Sequence, residues 1–100
     1  MLRPKISRVI GGRRYSTHNA VCVADNAYWD GHNWHRGGYN TYLYRSPRGR
    51  YFSVQTSLWD GDRTRLEPLS EEEARQLYEE LPEHNVPWEE AFPRVPVEDA

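Results

Sequence analysis

The chain has 100 residues and a mass of 11.8 kDa, which is enough for one domain and too little for a second core. Its formal net charge of −2 excludes a protein that binds nucleic acid through an overall positive charge. Leu, Ile, Val and Phe together are few, but four Trp and seven Tyr supply apolar area. We therefore expect a small fold with an aromatic-rich core.

The N-terminal part of the chain predicts a hairpin. Lys5–Ile10 has the composition of a strand, Gly11-Gly12 suits a tight turn with positive φ, and residues 13–15 would form the short return strand. Ser16 or Thr17 is then expected to cap one helical turn.

A second strand signal follows the hairpin. Ala20–Ala24 is a short apolar run and predicts a strand, whereas residues 25–38 contain the turn signals Asp30-Gly31 and Gly37-Gly38 and predict a loop.

The clearest hairpin signal lies in Tyr39–Ser57. Ser46-Pro47-Arg48-Gly49 fits a type I turn closed by a left-handed glycine, so Ser46 should pair with Arg50. Counting outward gives three further pairs: Tyr44 with Phe52, Tyr42 with Val54, and Asn40 with Thr56.

These six residues share one face of the hairpin, which we expect to pack against a helix. The opposite face would be solvated or would form a contact surface, and it comprises Tyr39, Thr41, Leu43, Arg45, Tyr51, Ser53, Gln55 and Ser57.

The C-terminal third predicts the main helix. Thr64–Pro68 is a candidate last strand, and Ser70-Glu71-Glu72-Glu73 is a capping box. An apolar stripe at helical spacing consists of Ala74, Leu77, Tyr78 and Leu81, and Pro82 should end the helix. Asn85 is a candidate cap for a second short turn.

These elements predict one α+β domain over residues 1–100. An antiparallel sheet of three to five strands should pack against one C-terminal amphipathic helix. The core should span about residues 5–81, followed by a Pro-containing acidic tail over 82–100 with a short helical turn.

Charge is divided unevenly along the chain. Residues 1–65 carry eleven basic and four acidic side chains, whereas residues 66–100 carry two basic and eleven acidic ones. All but one of the basic residues are Arg, whose planar guanidinium suits carboxylate or phosphate recognition. The acidic part either folds onto the basic part or leaves a dipolar surface for a charged partner.

Two constellations suggest metal chemistry. His18, Cys22, His32 and His35 are candidate zinc ligands, although structural zinc usually takes two tight pairs of ligands with more Cys. Asp30, His32 and His35, supported by Asp60 or Asp62, could instead form a metal-dependent hydrolase site. The simpler interpretation is that Cys22 is a core residue and the histidines are loop residues, so we expect no metal, no cofactor and no catalytic residue.

A third constellation mixes arginines with aromatic residues. Arg45, Arg48, Arg50 and Tyr51 cluster at one hairpin tip, and Arg13 and Arg14 lie at another. Such surfaces bind proteins or single-stranded nucleic acid, or they merely cover a small sheet. We expect six partner-binding residues: Trp34, Tyr39, Arg45, Arg48, Arg50 and Tyr51.

Three segments of the chain are distinctive when taken together: Ile10–Thr17 (IGGRRYST), Leu43–Phe52 (LYRSPRGRYF) and Pro68–Ala74 (PLSEEEA). In this order they resemble a family of small, largely uncharacterised phage and mobile-element proteins. The chain departs from that pattern at Gly11 and Ser16, where the family tends to have Asn and Asp, and it adds residues 88–100.

The resemblance implies a phage protein that blocks host defence. In that setting the best-known class is the anti-CRISPR proteins, which mostly bind a CRISPR–Cas effector stoichiometrically. We therefore expect a non-enzymatic inhibitor whose partner is a host CRISPR–Cas effector protein or ribonucleoprotein. The alternatives are a nucleic-acid-binding module and a metal-dependent hydrolase. The single cysteine and the lack of a long apolar run favour the bacterial host's cytoplasm and no membrane partner.

Overall fold

The computed structural model describes residues 4–26, 39–57 and 64–99. These ranges contain a five-stranded antiparallel sheet, a separate two-stranded hairpin and two helices, which confirms the predicted α+β class. In chain order the elements are β1 (Ser7–Ile10), β2 (Arg13–Ser16), β3 (Val21–Asp25), β4 (Tyr39–Arg45), β5 (Tyr51–Ser57), β6 (Arg65–Leu69), α1 (Glu71–Glu80), β7 (Glu83–His84) and α2 (Trp88–Ala91). The order of strands in the larger sheet is β6-β5-β4-β3-β7.

The central hairpin, β4–β5, has the predicted register. Tyr44 pairs with Phe52, and Tyr42 pairs with Val54. At the turn, the Ser46 amide donates to the Arg50 carbonyl oxygen at 2.8 Å. Gly49 has φ +82°, the left-handed conformation that the turn requires, and its amide donates to the Ser46 carbonyl oxygen at 2.9 Å. The turn sequence therefore determines which residues face each other across the two strands.

Both faces of the sheet are buried. On one side lies the helix-side core, made of Val23, Ala24, Leu43, Tyr51, Ala74, Tyr78, Leu81, Ala91 and Phe92. On the other lies the hairpin-side core, made of Tyr15, Cys22, Tyr42, Tyr44, Phe52 and Val54. The described residues thus form three layers, with the β1–β2 hairpin and the two helices on opposite sides of the sheet.

Our assignment of the β4–β5 faces is therefore wrong. Tyr42, Tyr44, Phe52 and Val54 are buried under the β1–β2 hairpin rather than under α1. The Tyr15 ring meets Phe52 edge-on at a centroid distance of 5.6 Å. The face expected to be open carries α1 and α2 instead. The alternation of side chains shows which residues share a face, but it does not show which element covers that face.

A β-bulge in β3 helps to fill the helix-side core. The register of β3 against β4 shifts between Cys22 and Ala24, so Val23 is an extra residue in the strand. Val23 and Ala24 consequently both belong to the helix-side core, although neighbours in a regular strand point to opposite faces.

The main helix begins and packs as its sequence predicts. The Ser70 hydroxyl accepts a hydrogen bond from the Glu73 amide, and the Glu73 carboxylate accepts one from the Ser70 amide. Ala74 and Tyr78 are buried in the helix-side core, and Leu77 packs against it. The helix ends at Glu80, two residues before Pro82.

The segment after Pro82 completes the core, which therefore extends beyond the expected limit near residue 81. In α2 and just after it, Ala91 and Phe92 have no exposed area. The Trp88 indole Nε1 donates to the Val95 carbonyl oxygen at 2.9 Å and holds the following turn. A substantial part of the helix-side core thus comes from a segment that looks like a tail in the sequence.

Two expected caps are absent from the described structure. Asn85 does not cap α2, which follows Pro87 without a side-chain cap; its Nδ2 instead donates to the Asp25 Oδ2 at 2.8 Å. That bond satisfies a carboxylate that is only 8% exposed. Neither Ser16 nor Thr17 begins a helical turn: Ser16 ends β2, and the Thr17 amide donates to the Ile6 carbonyl oxygen at 3.0 Å and extends the β1–β2 pairing.

Candidate functional site: an arginine-lined trough

The three-layer fold brings two turns of the chain together. The β1–β2 turn is built on Gly11 and Gly12, whose φ values are +60° and +78°. The β4–β5 turn is built on Ser46–Gly49. Because the β1–β2 hairpin covers the β4–β5 hairpin, side chains from both turns line one hollow.

This first hollow has a volume of about 400 Å³. Four arginines line it: Arg13, Arg14, Arg48 and Arg50. The remaining lining is neutral and consists of Gly12, Tyr15, Ser16, Asn19, Ser46 and Pro47. The described lining of this hollow therefore contains no carboxylate.

A second hollow of about 540 Å³ adjoins the first. The two share Arg13, Tyr15 and Arg50 in their linings. The second hollow adds Arg94 from the segment after α2, and Glu71 from the first turn of α1. We call the two hollows together the arginine trough, and its five arginines are Arg13, Arg14, Arg48, Arg50 and Arg94.

All five trough arginines are exposed. An arginine guanidinium is a cation that presents several N–H donors in a planar fork. Several like charges around one concave surface repel one another, and a bound anion would relieve that repulsion. The trough is therefore suited to binding a ligand with several negative charges.

Tyr51, an expected contact residue, is buried in the core. It is only 4% exposed and stacks on Phe92 at a centroid distance of 5.1 Å. Burial raises the pKa of its phenol, and the hydrogen bond and charge of Arg45 oppose that rise. Arg45 pairs with Tyr51 across the strands, as expected. The expectation that this face is open is thus wrong, because the helices cover it.

The other expected contact residues lie in different places. Arg48 and Arg50 line the trough and are exposed, whereas Arg45 is half-buried. Tyr39 begins β4, and only its backbone is described. Trp34 lies outside the described residues. The partner-binding role of these residues stays a prediction.

Sequence reasoning missed how the trough is assembled. The sequence places Arg13 and Arg14 at a separate hairpin tip, and no feature of the sequence indicates that Arg94 belongs to the same surface. The turn signals located both tips, but only the layering of one hairpin on the other brings them together. The pattern of one strand contains no information about that layering.

Of the candidate metal ligands, the described ranges contain only His18 and Cys22, and both line one hollow of about 340 Å³. His18 is exposed and Cys22 is buried, and the described ranges contain no group of three metal-ligating side chains. The Cys22 thiol lies 3.8 Å from the Asp25 Oδ2. His32 and His35 lie outside the described ranges, as do Asp30, Asp60 and Asp62.

Comparison with known proteins finds no matching family model, no matching curated protein and no matching solved structure. Neither helix in the described part of the chain is long and apolar enough to cross a membrane. The geometry of the trough is therefore the main basis for a functional proposal.

Proposed function

We propose that this protein is a non-enzymatic inhibitor that binds a CRISPR–Cas effector stoichiometrically through the arginine trough. The observation that carries the proposal is that two separate hairpins place Arg13, Arg14, Arg48 and Arg50 around one hollow. Effectors of this kind are ribonucleoproteins, so they present phosphates as well as protein carboxylates. Both groups are good partners for guanidinium.

The residues of the trough favour binding over catalysis. Arginine is a hydrogen-bond donor that stays protonated, so it does not act as a general base or a nucleophile. It is also among the residues that contribute most to binding energy at interfaces. The hairpins that carry these arginines rest on two buried cores, so the surface is held in shape before a partner arrives.

The resemblance of three segments to phage and mobile-element proteins supports the choice of partner. Two of those segments, Ile10–Thr17 and Leu43–Phe52, contain the turns that form the trough. The segments on which the resemblance rests are thus the ones that carry the candidate contact surface.

The test is an effector cleavage assay with increasing amounts of this protein. The wild type should inhibit cleavage and reach saturation near one molecule per effector. The double variant Arg48→Glu/Arg50→Glu should need at least about tenfold more protein, because it reverses two charges of the trough. The matched control is Arg65→Glu on β6, an exposed arginine that does not line the trough; it should inhibit like the wild type.

Two outcomes would contradict the proposal. The first is that no effector in a panel of CRISPR–Cas types is inhibited. The second is that Glu79→Gln/Glu80→Gln abolishes inhibition while the trough variant has no effect. Both of those glutamates are exposed on α1, and this second result would place the contact on the acidic surface.

A further inference from the structure

We propose that the arginine trough binds the phosphodiester backbone of a single nucleic-acid strand, which it grips by its phosphates rather than by its bases. This inference rests on the proposed function, since it names the part of the effector that enters the trough. Four features of the trough carry it: its charge, its extended shape, its neutral hydrogen-bonding groups and its buried tyrosines.

The charge of the trough fits a ligand with a repeated negative charge. Its five arginines are opposed by a single carboxylate, Glu71, among the described lining residues. That carboxylate lies in the second hollow only. The chain's net charge of −2 does not weaken this argument, because most of the acidic residues lie after residue 65, on the C-terminal elements.

The shape of the trough favours an extended ligand over a compact ion. Two hollows of about 400 Å³ and 540 Å³ meet at Arg13 and Arg50, which line both of them. A strand that follows both hollows would place successive phosphates near the shared arginines and near those at each end. A lone phosphate would occupy one hollow and leave the other arginines without an anion.

The neutral groups of the first hollow favour phosphates over an acidic peptide. The Ser16 hydroxyl oxygen accepts from the His18 amide at 3.2 Å, and the Ser46 hydroxyl oxygen accepts from the Arg50 amide at 3.1 Å. Each oxygen is thereby held in place, and its hydroxyl proton can donate to a ligand. Phosphate groups offer only acceptors, whereas a peptide also brings amide donors that need acceptors.

The two tyrosines of the trough argue against base stacking. Proteins that stack bases present exposed aromatic faces. Tyr15 is 6% exposed and Tyr51 is 4% exposed, and both rings are packed in the cores. The trough should therefore bind strands with little preference for sequence.

The experiment measures binding to fluorescent oligouridine and oligodeoxyuridine of about 12 nucleotides by anisotropy, with polyglutamate as the competing anion. Wild-type affinity for oligouridine should fall with salt, with a slope near −0.7 for each phosphate contacted. Arg13→Gln/Arg50→Gln should weaken binding at least about tenfold and reduce the magnitude of the slope by about 1.4. Arg65→Gln should match the wild type.

The two oligonucleotides identify the source of the strand. Equal binding of both means that the backbone common to RNA and DNA is recognised, and tighter binding of oligouridine means that the ribose contributes. Both results support the proposal. Polyglutamate that displaces oligouridine at equal charge concentration would overturn it, as would oligouridine binding that Arg13→Gln/Arg50→Gln leaves unchanged.

The backbone inference and the inhibitor proposal can fail separately, because oligonucleotide binding and effector inhibition are measured independently. Inhibition of an effector without oligouridine binding would overturn the backbone inference and leave the inhibitor proposal standing. Oligouridine binding through the trough without inhibition of any effector would overturn the inhibitor proposal and leave the backbone inference standing. Thermal melting of each variant establishes that a loss of binding is not a loss of folding, and since the substituted arginines are exposed we expect melting to be unchanged.

Discussion

The Tyr51 hydroxyl donates a 2.6 Å hydrogen bond to the carbonyl oxygen of Ala91, a residue that lies forty positions later in the chain. Tyr51 belongs to the interior strand β5, and Ala91 ends the short helix α2. The two residues are buried side by side in the helix-side core. This bond therefore ties the C-terminal segment to the sheet, and the two rings of Tyr51 and Phe92 stack beside it.

Removing that hydroxyl should destabilise the protein. In Tyr51→Phe the ring still packs, but the Ala91 carbonyl oxygen loses its partner in a site that water does not reach. We expect a loss of about 1–3 kcal/mol in the free energy of unfolding, measured by urea denaturation. Tyr78→Phe is the control: its hydroxyl donates to the Val86 carbonyl oxygen in a hydrogen bond that is only partly buried, so water can replace the bond. A larger loss in Tyr78→Phe than in Tyr51→Phe would contradict this reasoning.

The C-terminal segment should be essential for folding. Phe92→Ala removes a side chain with no exposed area and should cost about 3–5 kcal/mol. Val97→Ala is the matched control, because Val97 is 57% exposed and should change stability by less than about 0.5 kcal/mol. Deletion of residues 83–100 should abolish the cooperative transition in the same urea experiment. A truncated chain that still melts cooperatively would show that the helix-side core does not need α2.

Loss of the capping box of α1 should change both the free energy of unfolding and the pKa of Glu73. Ser70→Ala should cost about 1 kcal/mol, because the Glu73 amide loses its acceptor. Hydrogen bonds from Ser70 lower the pKa of the Glu73 carboxyl below its ordinary value of 4.5. Carbon-detected NMR titration should show that lowered pKa in the wild type and a partial rise in Ser70→Ala, since only the side-chain bond is lost.

The sign of the resulting pH effect follows from that lowered pKa. The ionised Glu73 carboxylate contributes to the free energy of unfolding above its unfolded-state pKa, and this contribution is lost as the pH falls through the folded-state pKa. Glu73→Gln keeps a capping side chain without the charge and should remove this pH dependence. A Glu73 pKa at or above 4.5 in the wild type would show that the box does not form.

Alkaline pH should destabilise the fold through its tyrosines. Burial is the main cause that raises the pKa of Tyr42, Tyr51 and Tyr78 above 10.0. A group whose pKa is raised by folding contributes fully to the free energy of unfolding below its unfolded-state pKa. That contribution is lost as the pH rises through the folded-state pKa. Urea midpoints should therefore fall above about pH 10.

The variant Tyr42→Phe tests the origin of that fall. It removes one of the three raised groups, so its urea midpoint should depend less steeply on pH than that of the wild type. Absorbance at the phenolate wavelength should show that part of the tyrosine ionisation accompanies unfolding. A wild-type midpoint that is unchanged through this range would rule out the buried-phenol explanation.

Local chemistry made much of the fold predictable. The register of β4–β5 follows from a single turn, because Pro47 restricts φ there and Gly49 can adopt the positive φ that closes the turn. The start of α1 follows from Ser70 and Glu73 for a similar reason. In both cases the determining groups lie within a few residues of one another.

The parts that the sequence does not predict depend on contacts between distant segments. Leu43 and Tyr51 could have faced solvent or a helix, and only the docking of α1 and α2 decides between them. Asn85 resembles a cap in the sequence, but the buried Asp25 carboxylate is its partner, sixty residues away. The trough has the same origin, since it forms only where one hairpin lies on another.

The position of the trough arginines has a consequence for how this surface can change over generations. All five are exposed, and the turns that precede Arg13 and that contain Arg48 are built on glycine and proline backbones. Substituting such residues opens no cavity and leaves both cores intact. Selection can therefore alter the charge pattern of the trough, and with it the partner that is recognised, at little cost in folding.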